Sequence, residues 1–386
     1  MSVTAADVER ARGLIADVVR RTPVLPSATL SERAGGAVVL KAESLQRTGS
    51  FKVRGALHKL AALGDACAAG VVCGSAGNHA QALAFAARTR GVPCEVFMPA
   101  EAPVAKVEGA EALGATVIRG GAGVRECVEL AHARAAESGM AFVHPYDDAD
   151  VIAGQGTLGL ELLEDVPDLV KVVVPVGGGG LASGIAIAVK SARPEVEVVG
   201  VRVDPTLTIA DGIAVKGRGE LTGPLMDRWL DDVVQVHEDG VAEAIVLLLE
   251  KAKLVVEGAG AVGAAALLAG LTSAPASGTT AVVLSGGNVD AGLLAEVARR
   301  HETQSGRRLV LVTRLRDRPG SLAQLLSVVG GTGANLVELT HIREGIDLHI
   351  RETGVQLVLE TRGREHAATV MAAIGAAGYA LGPTPG

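Results

Sequence analysis

The chain has 386 residues, a formal charge of -7, 20% charged residues and only 2% aromatic ones. That length exceeds what single cores reach and predicts two or three domains, and a core so poor in rings must be built from small and β-branched side chains, which suits parallel sheets covered by helices. Two partner classes are excluded: no basic block with interleaved aromatics serves nucleic acid, and the longest nearly uncharged stretch, Gly258 to Gly270, falls short of the roughly 18 to 20 apolar residues of a membrane span.

The N-terminus carries no basic, then apolar, then small-residue signal pattern, so a cytoplasmic protein is expected. Cys67, Cys73, Cys94 and Cys127 have no metal-ligand spacing and no secretory context, and read as reduced core thiols. Along the chain, short β-branched runs predict strands at Val38 to Lys41, Gly70 to Cys73, Glu95 to Met98, Thr116 to Arg119, Val170 to Val176, Val196 to Val203 and Thr280 to Ser285. Amphipathic Ala-rich segments predict helices between them, at Gly77 to Thr89, Val104 to Leu113, Gly123 to Glu137 and Ala182 to Ser191. This alternation is an α/β signature whose loops gather around a crevice at the carboxyl ends of the strands.

The polar stretch His301 to Arg308 reads as a linker. After it come a strand (Leu309 to Leu315), a helix opened by Arg318-Pro319-Gly320-Ser321, two strands (Asn335 to Arg343, Thr353 to Thr361), a helix (Glu365 to Ala377) and a short strand from Tyr379. The order βαββαβ is the split, ferredoxin-like arrangement.

Four short segments carry chemistry. Lys52, in Ser50-Phe51-Lys52-Val53-Arg54-Gly55, opens a helix; alone it reads as a solvated charge, but a lysine desolvated in an apolar site loses its proton easily and attacks aldehydes. Gly74-Ser75-Ala76-Gly77-Asn78-His79 places free amides between a strand and a helix, where a carboxylate can bind; a plain helix cap with a Gly turn is the alternative. Gly177-Gly178-Gly179-Gly180-Leu181 allows a nest of N–H groups for a phosphate, although Gly177, Gly179 and Ala182, with Asp204 after the next strand, also fit a loose dinucleotide fingerprint. Ser285, in Leu284-Ser285-Gly286-Gly287-Asn288, is either a turn residue or a hydroxyl for a pyridine nitrogen, a neutral partner that favours β-elimination over a long-lived carbanion.

In this order and spacing the four segments resemble the serine/threonine dehydratase family of pyridoxal-phosphate enzymes, over roughly residues 5 to 300. Thr208 to Val215 and Val256 to Ala261 look particularly like threonine dehydratases, and residues 309–386, with Asp317-Arg318-Pro319-Gly320-Ser321-Leu322, resemble an ACT domain. The resemblance implies a tryptophan synthase β-like, fold type II catalytic region (1–300), with a small domain of about 46–144 inserted into a large one (1–45 and 145–300), a linker (301–308) and a ferredoxin-like ACT domain (309–386). It implies Lys52 as the Schiff-base lysine with Phe51 beside it, Asn78 on the cofactor's phenolic oxygen, and Gly177, Gly178, Gly179, Gly180 and Leu181 on its phosphate. Ser285 would meet the ring nitrogen, and Ser75, Ala76, Gly77, Asn78 and His79 would bind the substrate carboxylate.

The implied reaction is elimination of water from L-threonine, with L-serine as a further substrate, giving 2-oxobutanoate and ammonia. Isoleucine or valine is the implied effector, with Asp317, Gly320, Ser321 and Asn335 as its contacts, in a homodimer or homotetramer. Serine racemases resemble this chain too, but carry a second serine where this chain has Ala76; Arg202 departs from the acidic residue near their metal site, so no divalent ion is expected. An NAD-dependent oxidoreductase, a dehydratase of another β-hydroxy amino acid and a non-catalytic amino-acid sensor are the remaining alternatives.

Overall fold

A computed structural model describes residues 3–382 apart from 207, 216 and 345–347; the outermost residues of the two expected terminal domains, 1–2 and 383–386, lie outside the described residues. The chain divides into two compact units, Met1–Val289 and Asp290–Gly386.

The helices of the first unit are α1 (Ala5–Ile15), α2 (Ala28–Ala34), α3 (Lys52–Leu63), α4 (Asn78–Arg90), α5 (Val104–Glu111), α6 (Val124–Ser138), α7 (Ala149–Asp165), α8 (Gly180–Ala192), α9 (Thr222–Trp229), α10 (Glu238–Leu247) and α11 (Gly258–Leu268). Its strands are β1 (Val24–Pro26), β2 (Ala37–Ala42), β3 (Val71–Gly74), β4 (Cys94–Met98), β5 (Thr116–Arg119), β6 (Ala141–Phe142), β7 (Leu169–Pro175), β8 (Glu197–Arg202), β9 (Asp232–Gln235) and β10 (Thr279–Leu284). They form two sheets, β1-β2-β10-β7-β8-β9 and β5-β4-β3-β6, parallel throughout except for β1 against β2. All seven expected strands are present, with ends displaced by at most a residue or two. The unexpected ones, β1, β6 and β9, are short and show no alternating burial, as edge positions allow.

α7 was not legible as a helix, because most of its length is buried on every side and its three glycines lower helix propensity. Those glycines are packing devices. A Cβ on Gly154 would come within 2.7 Å of the Arg54 carbonyl oxygen, and one on Gly156 within 2.8 Å of that of Gly184, so α3 and α8 both lie backbone-close on α7. A buried ionic cluster joins the same layer: Arg54 pairs with Glu43 at 2.8 Å and Glu161 at 2.7 Å, and Lys41 pairs with Glu161 at 2.6 Å. All four cysteines are buried and free.

In the second unit the stretch 301–308 is not an open linker. α12 (Ala291–Gln304) runs through its first half, capped by the Asp290 side chain, and its polar residues are the exposed face of a helix that buries Val297. β11 (Arg308–Arg316), α13 (Ser321–Gly331), β12 (Asn335–Ile342), β13 (Glu352–Glu360), α14 (Arg364–Ala376) and β14 (Leu381–Gly382) follow. The strands pair antiparallel in the order β12-β13-β11-β14, the expected βαββαβ arrangement, with Leu311, Leu325, Leu357 and Val370 in its core. Among the described residues no helix is long and apolar enough to cross a membrane.

Candidate active site

A cavity of about 1010 Å³ in the first unit is lined from both sheets by all four segments singled out in the sequence. Lys52 is the first residue of α3, and the chain before it is pinned: the Phe51 N–H donates to the Ser285 carbonyl at 3.0 Å, and Ser50 bridges Gly286. Its Nζ donates to the Pro145 carbonyl at 2.7 Å. Burial of the amine pushes its pKa down from 10.5 to about 8, with Glu257 pulling the other way.

The glycine loop follows β7 and enters α8. A side chain on Gly178 would strike the Tyr146 ring, with Cγ only 2.2 Å from the added Cβ, and Gly179 has φ +89°, a left-handed conformation that favours glycine. Thr222 fixes the loop by donating its hydroxyl to the Gly178 carbonyl at 2.7 Å. The first amides of α8 lack intrahelical acceptors and, with the positive end of the helix, suit an anion.

Asn78 opens α4, its side chain bonded to Glu257 and Asn288. The His79 imidazole is turned away, bonded to the Val143 carbonyl at 3.0 Å, and burial pushes its pKa down to about 3, with Lys52 adding to the shift. Its backbone amide stands at the helix start. Ser285 is 3% exposed and lines the cavity. Phe51, Ser75, Ala76, Gly77 and Leu181 line it as well.

One segment was missed. His144 Nδ1 accepts the N–H of Tyr146 at 3.2 Å and of Asp147 at 2.7 Å, and the Asp147 carboxylate accepts three amides, Glu220 at 2.9 Å, Leu221 at 3.0 Å and Thr222 at 2.9 Å. Residues 144–147 thus set the Lys52 acceptor, the cover of Gly178 and the position of Thr222 together. The visible signal was a run of His, Pro, Tyr and Asp between a strand and a helix, in a chain with very few aromatics. Glu257, inside a stretch already noted, was given no role.

In the second unit, Gly320 and Ser321 stand at the start of α13 and Asp317 just beyond β11, paired with Arg343. Asn335 is in register with the far end of the sheet, opposite Glu360, which in turn faces Arg308. The length of β11 separates it from Asp317 by roughly 26 Å, so in one copy of the chain these two expected contacts cannot hold one small ligand.

Residues 15–286 match the family described as pyridoxal-phosphate dependent enzyme. The chain belongs to the pyridoxal-phosphate-dependent enzymes. It is 43% identical over 396 residues to an L-threonine ammonia-lyase of Thermotoga maritima, covering 98% of both chains, and 44% identical over 380 residues to one of Geobacter sulfurreducens, covering 94% of both. Among solved structures it resembles a T.th. threonine deaminase (TM-score 0.70, 40% identity, 74% of this chain and 99% of that one) and maize serine racemase (TM-score 0.73, 34% identity, 79% and 99%).

The residues present fit pyridoxal phosphate. An amine with a lowered pKa meets the need for an aldehyde-reactive nucleophile, and the glycine cradle, which a Cβ would fill, leaves bare amides for a phosphate. Asn78 and Ser285 add an amide and a hydroxyl in the same cavity.

Proposed function

We propose that this pyridoxal-phosphate-dependent enzyme is an L-threonine ammonia-lyase, with Lys52 as its reactive lysine. The observation that carries the reading is the buried Lys52 amine, its pKa lowered to about 8, in a cavity walled by the glycine loop, in a chain matched from end to end by L-threonine ammonia-lyases.

Amides of Gly177 to Leu181 would hold the cofactor phosphate, Asn78 would donate to its phenolic oxygen, and Phe51 packs beside Lys52. The Ser285 hydroxyl would meet the ring nitrogen without protonating it. When bound, pyridoxal phosphate supplies an electron sink for the Cα–H bond of an amino acid. Of the segment Ser75 to His79, at the start of α4, the Ser75 N–H donates to the Phe97 carbonyl at 3.0 Å and the Gly77 N–H to Ser75 Oγ at 3.3 Å, so the amides of Ala76, Asn78 and His79 would take the substrate carboxylate. Lys52 Nζ removes the Cα proton; a pKa of about 8 leaves a far larger neutral fraction at pH 7 than an ordinary lysine has. Loss of water from the substrate and its return on hydrolysis leave 2-oxobutanoate and ammonia. Ala76 lines the cavity without a proton to offer, which supports elimination over racemisation.

The second unit acts as an ACT domain that binds isoleucine or valine at the Asp317 to Ser321 loop; a ligand that also touches Asn335 would lie between two copies of the chain, consistent with a homo-oligomer in the cytoplasm. Calorimetry of the full chain with isoleucine and valine tests this, and absence of heat overturns it.

For the catalytic reading, the purified holoenzyme should show a visible cofactor band and form 2-oxobutanoate from threonine. Lys52→Ala should lose the band and about a hundred- to ten-thousand-fold or more in turnover. A wild-type protein without the band, or turnover that survives the substitution, overturns it.

A further inference from the structure

The stretch Val256 to Ala261 holds a carboxylate that none of these steps employs. Glu257 is 7% exposed and directly precedes α11, where its N–H donates to the Gly286 carbonyl at 3.1 Å. Its side chain is enclosed by backbone: a Cβ on Gly286 would come within 2.2 Å of Glu257 Oε1. Glycine at 286 is what leaves room for the carboxyl group.

Oε1 accepts from Asn78 Nδ2 at 2.7 Å, while Asn78 Oδ1 accepts from Asn288 Nδ2 at 2.8 Å. Asn288 is anchored in turn on the Thr48 carbonyl at 2.7 Å. A side-chain amide has one carbonyl and two N–H donors. The two bonds therefore decide which end of Asn78 faces Asn288, and they leave one N–H for a ligand in the cavity that Asn78, Glu257 and Asn288 all line.

Among the described residues no lysine or arginine pairs with Glu257 in a salt bridge. The charges that face it are Lys52 from α3, Lys106 from α5 and Asp211 from the turn Asp211–Ile213, which Lys106 already engages at 2.8 Å. Burial raises the carboxyl pKa to about 7; the Asn78 bond and the two lysines lower it, and Asp211 raises it further. Glu257 and Lys52 thus change charge in adjacent pH ranges and influence each other.

We propose that Glu257 is a positioning residue for the cofactor ring: it locks the Asn78 amide with one N–H free for the ring's phenolic oxygen, and its own proton makes that contact, and the charge on Lys52 Nζ, respond to pH. Ionised, it accepts the Asn78 N–H in a charge-assisted bond, roughly twice as strong as a neutral one, and its negative charge favours the protonated Lys52 nitrogen. Protonated, it loosens Asn78 and withdraws that support. The inference rests on the cofactor-site reading given above.

The test is a pH titration of the visible band of the holoenzyme, with cofactor affinity measured by reconstitution. The wild type should show a spectral inflection in the neutral pH range, where Glu257 changes charge. Glu257→Gln keeps the size and an acceptor oxygen but holds no titratable proton. It should retain the band, lose the inflection or move it by more than about one unit, and bind cofactor roughly three- to tenfold more weakly. The same inflection and affinity as wild type overturn the proposal. If the glutamine variant does not fold, Glu257→Asp keeps the acid but shortens its reach; it should keep an inflection and bind cofactor more weakly, and wild-type affinity there overturns the proposal equally. A wild-type band that is missing, or that persists in Lys52→Ala, sinks the cofactor-site reading itself and is thus a separate result.

Discussion

The ring of Tyr146 stands against the backbone of Gly178 so closely that a Cβ there would lie 2.2 Å from Tyr146 Cγ and 2.3 Å from Cδ1. Gly178→Ala must therefore displace either the ring or the loop. Overpacking of this kind costs about 1 to 3 kcal/mol, and cofactor affinity should fall about tenfold or more because the amides lose their alignment. Adding Tyr146→Ala should recover part of the loss, a non-additivity that reconstitution titrations of both single variants and the double variant will read.

Asp147 gathers three amides ahead of α9, and the last of them belongs to Thr222, which holds Gly178. Asp147→Ala removes an N-terminal cap and should destabilise the first unit by about 1 to 3 kcal/mol. It should also weaken cofactor binding, although Asp147 has no place among the groups assigned to the cofactor. Denaturant melts together with reconstitution titrations separate the two effects; unaltered cofactor affinity would break the link through Thr222.

Arg54 is 1% exposed and its partner Glu43 is 0% exposed. Arg54→Met strands the buried Glu43 carboxylate and should cost about 3 to 5 kcal/mol, whereas adding Glu43→Met should return much of that, because Glu161 keeps Lys41 as its partner and apolar replacement of a buried ion pair is often neutral. Urea unfolding midpoints would show it. A double variant no better than the single one would mean that the pair orients α3 in a way apolar packing does not replace.

Stability of the cofactor-free protein should carry the mark of Glu257. Its folded pKa of about 7 lies above the ordinary 4.5, so between those values the folded protein holds a proton that the unfolded chain has released, and stability falls as pH rises. The amplitude is on the order of 3 kcal/mol. His79, lowered from 6.5 to about 3, acts in the opposite sense, its contribution growing as pH rises through that window. The two oppose each other in the wild type over the shared range. In Glu257→Gln only the rise should remain, His144, also lowered by burial, adding to it, so unfolding free energies from pH 4.5 to 7 should climb more steeply than those of the wild type; a parallel pair of profiles would contradict the buried, protonated carboxyl.

What was legible in the sequence shares a physical character. Lys52, the glycine run and Ser285, which the structure brings to one cavity, sit in short contiguous segments whose residue types suggest a use: an amine at a helix start, four residues without side chains, a hydroxyl closing a strand. What escaped was made by distance in sequence. The pairing of Glu257 with Asn78 joins α11 to α4, and the reach of Asp147 to residues 220–222 joins two loops; no periodicity reports either. α7 failed for another reason. Its glycines, poor helix formers in isolation, are tolerated because α3 and α8 press against it too closely for any side chain. The expected linker at 301–308 failed because polarity marks the outward face of a helix as readily as a loop.

The scarcity of aromatic side chains has a practical result. Trp229 is the sole tryptophan of the chain, partly buried between two apolar clusters at the last residue of α9. The first residue of that helix is Thr222, bonded to the glycine loop, and seven helical steps place the indole about 10 Å along the axis from it. The protein therefore contains its own optical gauge. A cofactor whose phosphate sat on that loop would bring its absorbing ring within energy-transfer range of this one indole, so the emission of an unlabelled sample would report how full the site is.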